Sequence, residues 1–512
     1  MKKITTFLFA LLLLAACTPE EQNQLEVETP FVEKQLVTIT ARVAGDEPSN
    51  LPGKHKVSGK DNGSKIELTW NEKDQILVNV DGKESVFTIT KGAGTKVASF
   101  EGEMPAAGRE YTAVYPVKYD EAVLDNQTYV ENGFANGLVK MSTKNPGTVN
   151  EGFVMSADNS VLVLQLTGTH TLGTIVLTNT LTNKFYTLDC TDVVLNSSNL
   201  TSFYFVVPAG EWTRGFVVDV FDKEDKYITS FSKISGAKFV AAQSMVMPTK
   251  DVAPMAAYTG VGVFSVSATK QVSFAPGNLQ YMPSRKIWRF APDQTKIIGE
   301  YNKNLSDTYN GWVDLFGYSS ATTNFGAITS TDNVGYWGDF IDWAVNTIGA
   351  DAPNTWHSLS SAEWMYMISS RNNAANLCGL ATVEDIHGAI ILPDNWANPR
   401  GISFVPRVSR EVSKFSDNIL PFADWKLLEQ EGAIFLPVTG QRTGNKVDAP
   451  SKNGFYWTSS GIKRFVLNEI HGLYTMDRAY CEGNAVRLAK ELIDHDADSE
   501  LEDILNNDGT WD

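Results

Sequence analysis

Short runs that alternate apolar and polar residues occupy the sequence from residue 35 to about residue 250. The first run, residues 35–43, places Val37, Ile39 and Val43 at alternate positions. A period of two residues is typical of a β-strand with one buried face, and clusters of Gly, Asp and Asn separate the runs as turns. Helical periodicity is almost absent here, so this part of the chain predicts an all-β architecture.

The alternating runs form two blocks, each about the size of one domain. The predicted strands are 65–70, 75–80, 85–90, 96–100 and 111–115 in the first block, and 160–166, 174–178, 185–188, 202–207, 216–221, 227–231 and 238–247 in the second. Short strands at regular spacing favour antiparallel sandwiches. We therefore predict two tandem antiparallel β-sandwich domains, residues 35–150 and 151–255.

The composition changes in the last part of the chain, where ten of the twelve tryptophans lie from Trp288 onward. Ser360 followed by Glu363 is a capping box that begins a predicted helix, residues 360–371, and a second helix is predicted at 416–429. Together with short strands, these helices predict an α+β domain at residues 256–490. The strands are predicted at 389–392, 433–436, 454–457, 463–467 and 485–488.

The N-terminus has the pattern of a secretory signal peptide, residues 1–16, in which two lysines precede an almost purely apolar run. Small residues lead into Cys17. This pattern resembles the lipobox of bacterial lipoproteins and implies that Cys17 is acylated and anchors the chain to the outer membrane. An ordinary cleaved signal with a chance cysteine is the alternative.

Polar segments flank the predicted domains. Residues 17–34 are rich in Glu and Gln and predict a flexible stalk. Residues 491–512 are acidic and predict a tail that forms a short helix or stays without fixed structure.

Charge and cysteine content disfavour several classes of function. The formal net charge is −17 and no basic run is present, which disfavours nucleic acid and anionic lipid as partners. The six histidines are scattered, and the spacing of Cys190, Cys378 and Cys481 matches no metal motif. We predict neither a metal site nor a cofactor, and a disulfide between Cys378 and Cys481 stays open.

A family resemblance is carried by the order of strand residues in the two β blocks. These residues are Trp70, 74–76, Phe87, 98–102, 111–116, 202–208 and 215–221. Their order resembles the fimbrillin family, the anchored pilins of Bacteroides and Porphyromonas relatives, over about residues 35–250. The resemblance implies two fimbrillin-like sandwiches, a first strand removed by a trypsin-like protease, and a neighbouring subunit's strand that fills the groove.

In this chain the fimbrillin resemblance makes residues 36–43 the removable strand and other fimbrial subunits its partners by strand addition. Arg42 is the candidate processing site. Lys54, Lys56 and Lys60 are alternative sites.

A second resemblance covers about residues 262–490. It is carried by residues 356–359, 363–364, 392–396, 432–437, 440–442, 455–460 and 484–488. This ordered string resembles the C-type-lectin-like fold of bacterial surface proteins, which include formylglycine-generating-enzyme relatives and receptors diversified by retroelements. It implies a fold and does not specify a function.

Two functions of such domains are disfavoured here. Calcium-dependent sugar binding needs converging oxygen ligands, but residues 393–395 lack a preceding acid and Trp457 is followed by Thr458 and Ser459. Formylglycine-type oxidation needs a pair of reactive cysteines, and no thiol follows Trp457 where that family places its own.

The third function is ligand binding by the segment between Trp457 and Arg487. In the diversified receptors this segment supplies exposed, variable side chains, and mixtures of Tyr, Arg, Asn and Ser make adaptable interfaces. An ordinary solvated loop is the alternative. The candidate ligand-binding residues are Ser459, Ser460, Lys463, Arg464, Asn468, His471, Tyr474, Asp477, Arg478 and Tyr480.

The order of anchor, stalk, two sandwiches and lectin-like domain predicts a fimbrial tip or accessory subunit on the outer face of the outer membrane. It would present its last domain for adhesion to a glycan or protein on a host or bacterial surface. We expect no enzymatic activity. An envelope enzyme of the formylglycine-generating type and a surface receptor that never assembles into fimbriae are the alternatives.

Overall fold

The computed structural model is mainly β, with two α-helices in the part of the chain that it describes. The described residues are 34–43, 58–61, 66–105, 110–119, 124–135, 138–143, 145–304, 306–318, 340–398, 400–406, 413–448, 452–477 and 482–492. The predicted signal peptide, Cys17, Lys54, Lys56 and most of the acidic tail lie outside them. No helix among the described residues is long and apolar enough to cross a bilayer.

Eleven strands are described in the N-terminal part of the chain. In chain order, β1 to β11 are Lys34–Val43, Ser58–Asp61, Ile66–Thr69, Gln75–Val80, Lys83–Lys91, Val97–Pro105, Thr112–Tyr115, Asn126–Val130, Gly133–Phe134, Met141–Thr143 and Phe153–Ala157. Seven of them close into one barrel in the order β1, β11, β10, β7, β4, β5, β6. Ile39, Trp70, Phe87 and Phe100 are fully buried in its core.

This barrel differs from the two-sheet sandwich predicted for residues 35–150. Alternating apolar residues specify which face of a strand is buried, but they do not determine whether the sheet closes on itself. Closure depends on β1, which hydrogen-bonds β6 on one side and β11 on the other. The strands themselves match the prediction closely, and the predicted strand 75–80 is β4.

The middle part of the chain contains β12 to β21. These strands are Asn159–Gly168, Thr171–Asn179, Phe185–Val194, Thr201–Pro208, Gly210–Trp212, Phe216–Asp222, Tyr227–Lys233, Ala237–Phe239, Ser244–Val246 and Lys250–Val252. One sheet has the order β18, β17, β13, β14, β8, β9, β2, β3, and in a second sheet β12 pairs with β15, β20 and β21. Strands from the N-terminal part therefore extend the middle sheet, and one apolar core runs through both parts.

The single strand predicted at 238–247 is wrong. The structure divides it into β19 and β20, with a turn between them in which Ala242 has a φ of +60°. The two halves pair with different strands, β19 with β16 and β20 with β12. Apolar residues continue through the turn, so the sequence pattern does not reveal this break.

The C-terminal domain contains β22 to β37 and the helices α1, Ser361–Ser369, and α2, Phe422–Gln430. Its strands are Val261–Ser265, Gln271–Phe274, Leu279–Met282, Ile287–Phe290, His357–Ser358, Cys378–Val383, Ile386–Ile391, Ile419–Leu420, Ile434–Pro437, Arg442–Thr443, Lys446–Val447, Asn453–Trp457, Lys463–Asn468, Gly472–Asp477, Glu482–Gly483 and Leu488–Glu491. They form small sheets, among them β22-β23-β37-β26, β29-β27-β28-β30 and β33-β34-β35.

Helix α1 confirms the predicted capping box. Ser360 Oγ accepts a hydrogen bond from the Glu363 amide at 3.2 Å, and the Glu363 carboxylate accepts one from the Ser360 amide at 2.7 Å. Helix α2 instead begins at Phe422, not at residue 416. Pro421 disfavours the helical conformation at Leu420, which pairs as part of β29 with β27.

The middle part and the C-terminal domain meet in a buried interface. Asp219 of β17 forms an ion pair with Arg289 of β25, and Trp312 Nε1 donates to the same carboxylate at 3.1 Å. The apolar residues around this ion pair come from both sides and are Val176, Phe221, Met282, Ile298 and Trp312. The two parts are therefore joined by packing as well as by the chain.

Candidate functional site

Strand β1 is the element that the fimbrillin resemblance makes removable, and it closes the barrel. It pairs antiparallel with β6 from Lys34 opposite Pro105 to Arg42 opposite Val97. Its pairing with β11 is parallel and covers only Ala41 to Val43. One edge of β1 is thus bonded along almost its whole length, whereas the other is bonded at its C-terminal end.

The side chains of β1 divide strictly between the core and the surface. Val37, Ile39, Ala41 and Val43 are buried, while the residues between them are exposed. Burial of a Val or Ile side chain contributes about 1.5–3 kcal/mol, so the Val37, Ile39 and Val43 side chains together contribute roughly 5–9 kcal/mol. These side chains fill the core between β6 and β11, and removal of β1 would expose the apolar residues that they cover.

The loop before β11 passes close to β1. Gly152 has a φ of +68°, and a Cβ atom at this position would lie 2.1 Å from the carbonyl oxygen of Thr40. A larger residue cannot take this place without moving β1 or the loop. Glycine at position 152 is therefore what allows the β1 backbone to lie this close to the loop.

Arg42, the candidate processing site, is exposed near the C-terminal end of β1. It lies in register between Val97 of β6 and Val154 of β11. A protease needs its substrate as an extended chain free of neighbouring strands, so cleavage after Arg42 requires local opening of this end of β1.

The predicted ligand-binding residues lie on the β34–β35 hairpin and the turn before it, and they gather at its two ends. At one end, the Ser460 hydroxyl accepts from the Ser361 amide at 2.9 Å, and the Ser459 amide donates to the Leu359 carbonyl at 3.0 Å. Lys463 and Asp477 are exposed at the same end and form an ion pair of 3.3 Å.

The other end of the hairpin holds Asn468, His471 and Tyr474. Asn468 Oδ1 accepts from the His471 amide at 2.8 Å, and the rings of His471 and Tyr474 are 5.4 Å apart. Strand β34 separates the two ends by about 17 Å at roughly 3.4 Å per residue. The predicted residues therefore form two small clusters and not one continuous face, and Arg478 and Tyr480 lie outside the described residues.

Arg464 does not present its side chain to solvent, contrary to its assignment to an exposed face. It is 0% exposed, forms an ion pair with Glu482 and donates to Asn484 Oδ1 at 3.0 Å. Asn468 is also buried. The apolar run 465–467 lacks the alternation of a half-exposed strand, and this signal in the sequence indicates that β34 is covered on both faces.

No family model matches the sequence. No curated protein matches it either. Solved structures that resemble the chain include a candidate cell adhesion protein of Bacteroides uniformis, with 16% identity, a TM-score of 0.24, and coverage of 40% of this chain and 94% of that one. A fimbrial protein of Bacteroides ovatus has 11% identity and a TM-score of 0.21, with coverage of 83% and 95%.

A further match is a C-terminally truncated tip fimbrial protein of Porphyromonas gingivalis. It has 12% identity and a TM-score of 0.21, with coverage of 39% of this chain and 82% of that one. These neighbours are fimbrial and cell adhesion proteins of related bacteria. TM-scores of this size establish neither a shared fold nor a shared function.

The described cysteines lie in the core. Cys378 is buried, and its Sγ lies 3.7 Å from the Ala374 carbonyl oxygen. Burial raises the pKa of the Cys190 thiol well above its usual range. A reactive cysteine needs an exposed thiol, and both Cys190 and Cys378 are buried. Cys481 lies outside the described residues, so the disulfide with Cys378 stays an open possibility. Within the described residues, no group of three His, Cys, Asp or Glu side chains is arranged to hold a metal ion.

Proposed function

We propose that this chain is a fimbrial tip or accessory subunit that receives a strand from a neighbouring subunit in the groove now filled by β1. Its C-terminal domain is presented for adhesion to a glycan or protein ligand. Before processing, Cys17 anchors the chain to the outer membrane, and cleavage after Arg42 separates the folded domains from that anchor.

The observation that carries this proposal is the position of β1 in the barrel. The strand is bonded along one edge, bonded only at Ala41 to Val43 along the other, and carries the candidate cleavage site Arg42 on its exposed face near its C-terminal end. A strand inserted in its place would recover the same backbone hydrogen bonds, and apolar residues at alternate positions would fill the same core positions.

The pairing of β37 supports a terminal position in a fimbria. This strand, the last one described, hydrogen-bonds β23 on one side and β26 on the other. Both of its edges are satisfied within the domain, so β37 has no free edge to offer a neighbouring subunit. A subunit that accepts a strand without donating β37 is suited to the end of a fibre.

The proposal is tested by comparing Arg42→Ala and Arg42→Lys with the unchanged protein in its native envelope. A trypsin-like protease cleaves after Lys as well as Arg, so only Arg42→Ala should block processing. Intact mass and sedimentation of envelope fibres are the measurements. We expect the unchanged protein and Arg42→Lys to lose the N-terminal segment and sediment with fibres, and Arg42→Ala to remain uncut and absent from them.

Fibre association of Arg42→Ala at the level of the unchanged protein would contradict assembly through cleavage at this site. The tip position has its own test. If the purified protein formed long filaments by itself after protease treatment, it would be a repeating shaft subunit and the assignment to the tip would be wrong.

A further inference from the structure

Lys296 is a buried lysine at the interface between the middle part and the C-terminal domain, where it is only 4% exposed. It follows β25 in the C-terminal domain. Its side-chain nitrogen, Nζ, donates to the Thr180 carbonyl oxygen and to Asn183 Oδ1, both in the turn between β13 and β14 of the middle part. A nitrogen that can act as a nucleophile therefore contacts a side-chain amide 113 residues away in the sequence.

The Asn183 amide is held in one orientation. Its Nδ2 donates to the Ile297 carbonyl oxygen at 3.2 Å and to the Ile298 carbonyl oxygen at 3.1 Å, which leaves Oδ1 facing Lys296. A C=O bond is about 1.23 Å long, so a nitrogen in hydrogen-bond contact with Oδ1 lies within about 4 Å of the amide carbon, Cγ. Groups positioned to react are about 3–3.5 Å apart, so only a small movement separates Nζ from Cγ.

The surroundings of Lys296 favour its neutral form. Burial, assisted by the cations Arg289 and Arg214, lowers the pKa of this lysine to about 7, although Asp314 and Asp293 oppose the shift. An amine attacks a carbonyl carbon only in its unprotonated form, and a desolvated lysine with a lowered pKa is an activated nucleophile. Lys296 therefore has a reactive fraction at neutral pH that an exposed lysine lacks.

Asp314 is the acid whose charge acts most strongly on Lys296. Its carboxylate is buried and accepts from Asn302 Nδ2 at 2.8 Å and from the Ile298 amide at 3.0 Å. Burial raises the pKa of Asp314 to about 6. Transfer of a proton from Lys296 to Asp314 is therefore unfavourable by only about tenfold, compared with about three-million-fold for the same two groups in water.

A small cavity lies beside the two reacting groups and is lined in part by Thr180, Asn183 and Lys296. Its volume is about 20 Å³, which is room for about one water molecule. Ammonia is similar in size to water. The cavity can therefore hold the leaving group of an amide while bulk solvent, which would hydrate the amine, stays outside.

We propose that Lys296 and Asn183 form an isopeptide bond that links the C-terminal domain to the middle part. Nζ gives one proton to Asp314, and its lone pair forms a bond to Asn183 Cγ. The Cγ–Nδ2 bond then breaks, and Nδ2 takes a second proton from Nζ and leaves as ammonia. The third hydrogen of the lysine stays on the new amide, and Asp314 returns its proton to ammonia. The reaction needs no oxidant, reductant or further reactant.

The isopeptide bond would join the turn before β14 to the segment after β25, on the two sides of the interface around Asp219. The two parts would then be held by a covalent link in addition to packing and the chain between β21 and β22. Formation of the bond does not depend on strand exchange at β1. A linked lysine carries no charge, so a pH dependence of stability that comes from Lys296 belongs to unlinked protein.

Mass spectrometry of the purified protein tests the bond. We expect an intact mass about 17 Da below that of the sequence, because one ammonia is lost. Since cyclisation of an asparagine elsewhere gives the same loss, trypsin peptides decide the position. The peptide that contains Asn183 should be linked to the peptide that contains Lys296, and trypsin should no longer cut after Lys296. Folded protein with the full sequence mass and a free peptide ending at Lys296 would overturn the proposal.

Three variants assign the roles. Asn183→Ala removes the amide carbon and should keep its full sequence mass. Asp314→Asn should slow linkage at least about tenfold in samples taken at intervals after synthesis, because the amine loses its proton acceptor. Lys303→Met removes an exposed lysine nearby and should link as the unchanged protein does. Linkage of Lys296 in Asn183→Ala would overturn the assignment of its partner, and the mass of the unchanged protein keeps the test decisive if a variant fails to fold.

Discussion

Three arginines of the C-terminal domain, Arg442, Arg464 and Arg487, are buried as fully as its core tryptophans. Arg487 joins separate loops and strands through its fixed fork of donors. It donates to the Ala275 carbonyl at 2.9 Å, the Phe435 carbonyl at 2.6 Å and Asn278 Oδ1 at 3.1 Å. A single side chain thus supplies hydrogen bonds to three buried oxygen acceptors that lie away from solvent.

Replacement of Arg487 by Lys tests this role. Lysine keeps the charge but lacks the planar fork, so at least one carbonyl loses its partner. We expect the free energy of unfolding to fall by about 3 kcal/mol, measured by urea denaturation. Arg400→Lys, at an exposed ion pair with Glu431, is the matched control and should change stability by less than about 1 kcal/mol. Equal effects of the two changes would show that the fork of Arg487 is unimportant.

In protein in which Lys296 is not linked to Asn183, the shifted pKa values of Lys296 and Asp314 predict opposite pH dependences of the free energy of unfolding. Burial raises the pKa of Asp314 to about 6, so the folded protein holds a proton that the unfolded chain has lost. The free energy of unfolding should therefore fall as the pH rises from about 4 to about 6. The pKa of Lys296 is lowered to about 7, so the unfolded chain binds the extra proton and stability should rise from pH 7 towards 10.5.

Urea denaturation across this pH range measures both slopes. Asp314→Asn should flatten the acidic part of the curve alone, and Lys296→Met the alkaline part alone. If each variant kept the slope of the unchanged protein, other groups would be responsible.

Strand β1 is a single segment of ten residues that closes the barrel. Ile39 is fully buried, whereas Leu36 on the opposite face is 68% exposed. We expect Ile39→Ala to lower the free energy of unfolding of the uncut protein by about 2–5 kcal/mol. Leu36→Ala should change it by less than about 0.5 kcal/mol, and urea denaturation measures both. A similar cost for the two would mean that β1 does not fill the core.

Elements formed by interactions between residues close in the sequence could be predicted, and features formed by residues far apart in the sequence could not. β1 and α1 were predictable because alternation and a capping box are local patterns. Helix α2 begins at Phe422 because Pro421 disfavours a helical conformation before it. This local signal was present in the sequence, but the predicted helix 416–429 was based on the helical pattern alone. Closure of the barrel, the burial of Arg464 and the ion pair of Asp219 with Arg289 depend on residues far apart in the sequence, which one-dimensional patterns do not bring together.

At the scale of the whole molecule, the middle part and the C-terminal domain are held as one unit by the interface around Asp219. This residue is 0% exposed, and its removal leaves Arg289 buried without a counter-ion. We expect Asp219→Asn to lower the free energy of unfolding by about 3–5 kcal/mol. In calorimetry, the single unfolding transition shared by the two parts should then divide into two transitions. Asp225→Asn alters an exposed carboxylate that pairs with Arg285 across the same interface, and it should leave one transition. A single unshifted transition in Asp219→Asn would contradict a coupling role.

The exchange of β1 is the central claim, and a labelled peptide of residues 34–42, the part of β1 that precedes the cut, tests it most directly. The purified protein is cut after Arg42 and incubated with the peptide, and native mass spectrometry counts the peptides bound. We predict that the cut protein takes up one peptide in place of its own β1, that the uncut protein takes up none, and that a peptide carrying Ile39→Asp does not bind. Failure of the cut protein to take up the peptide, or equal uptake of the Ile39→Asp peptide, would contradict strand exchange at this groove.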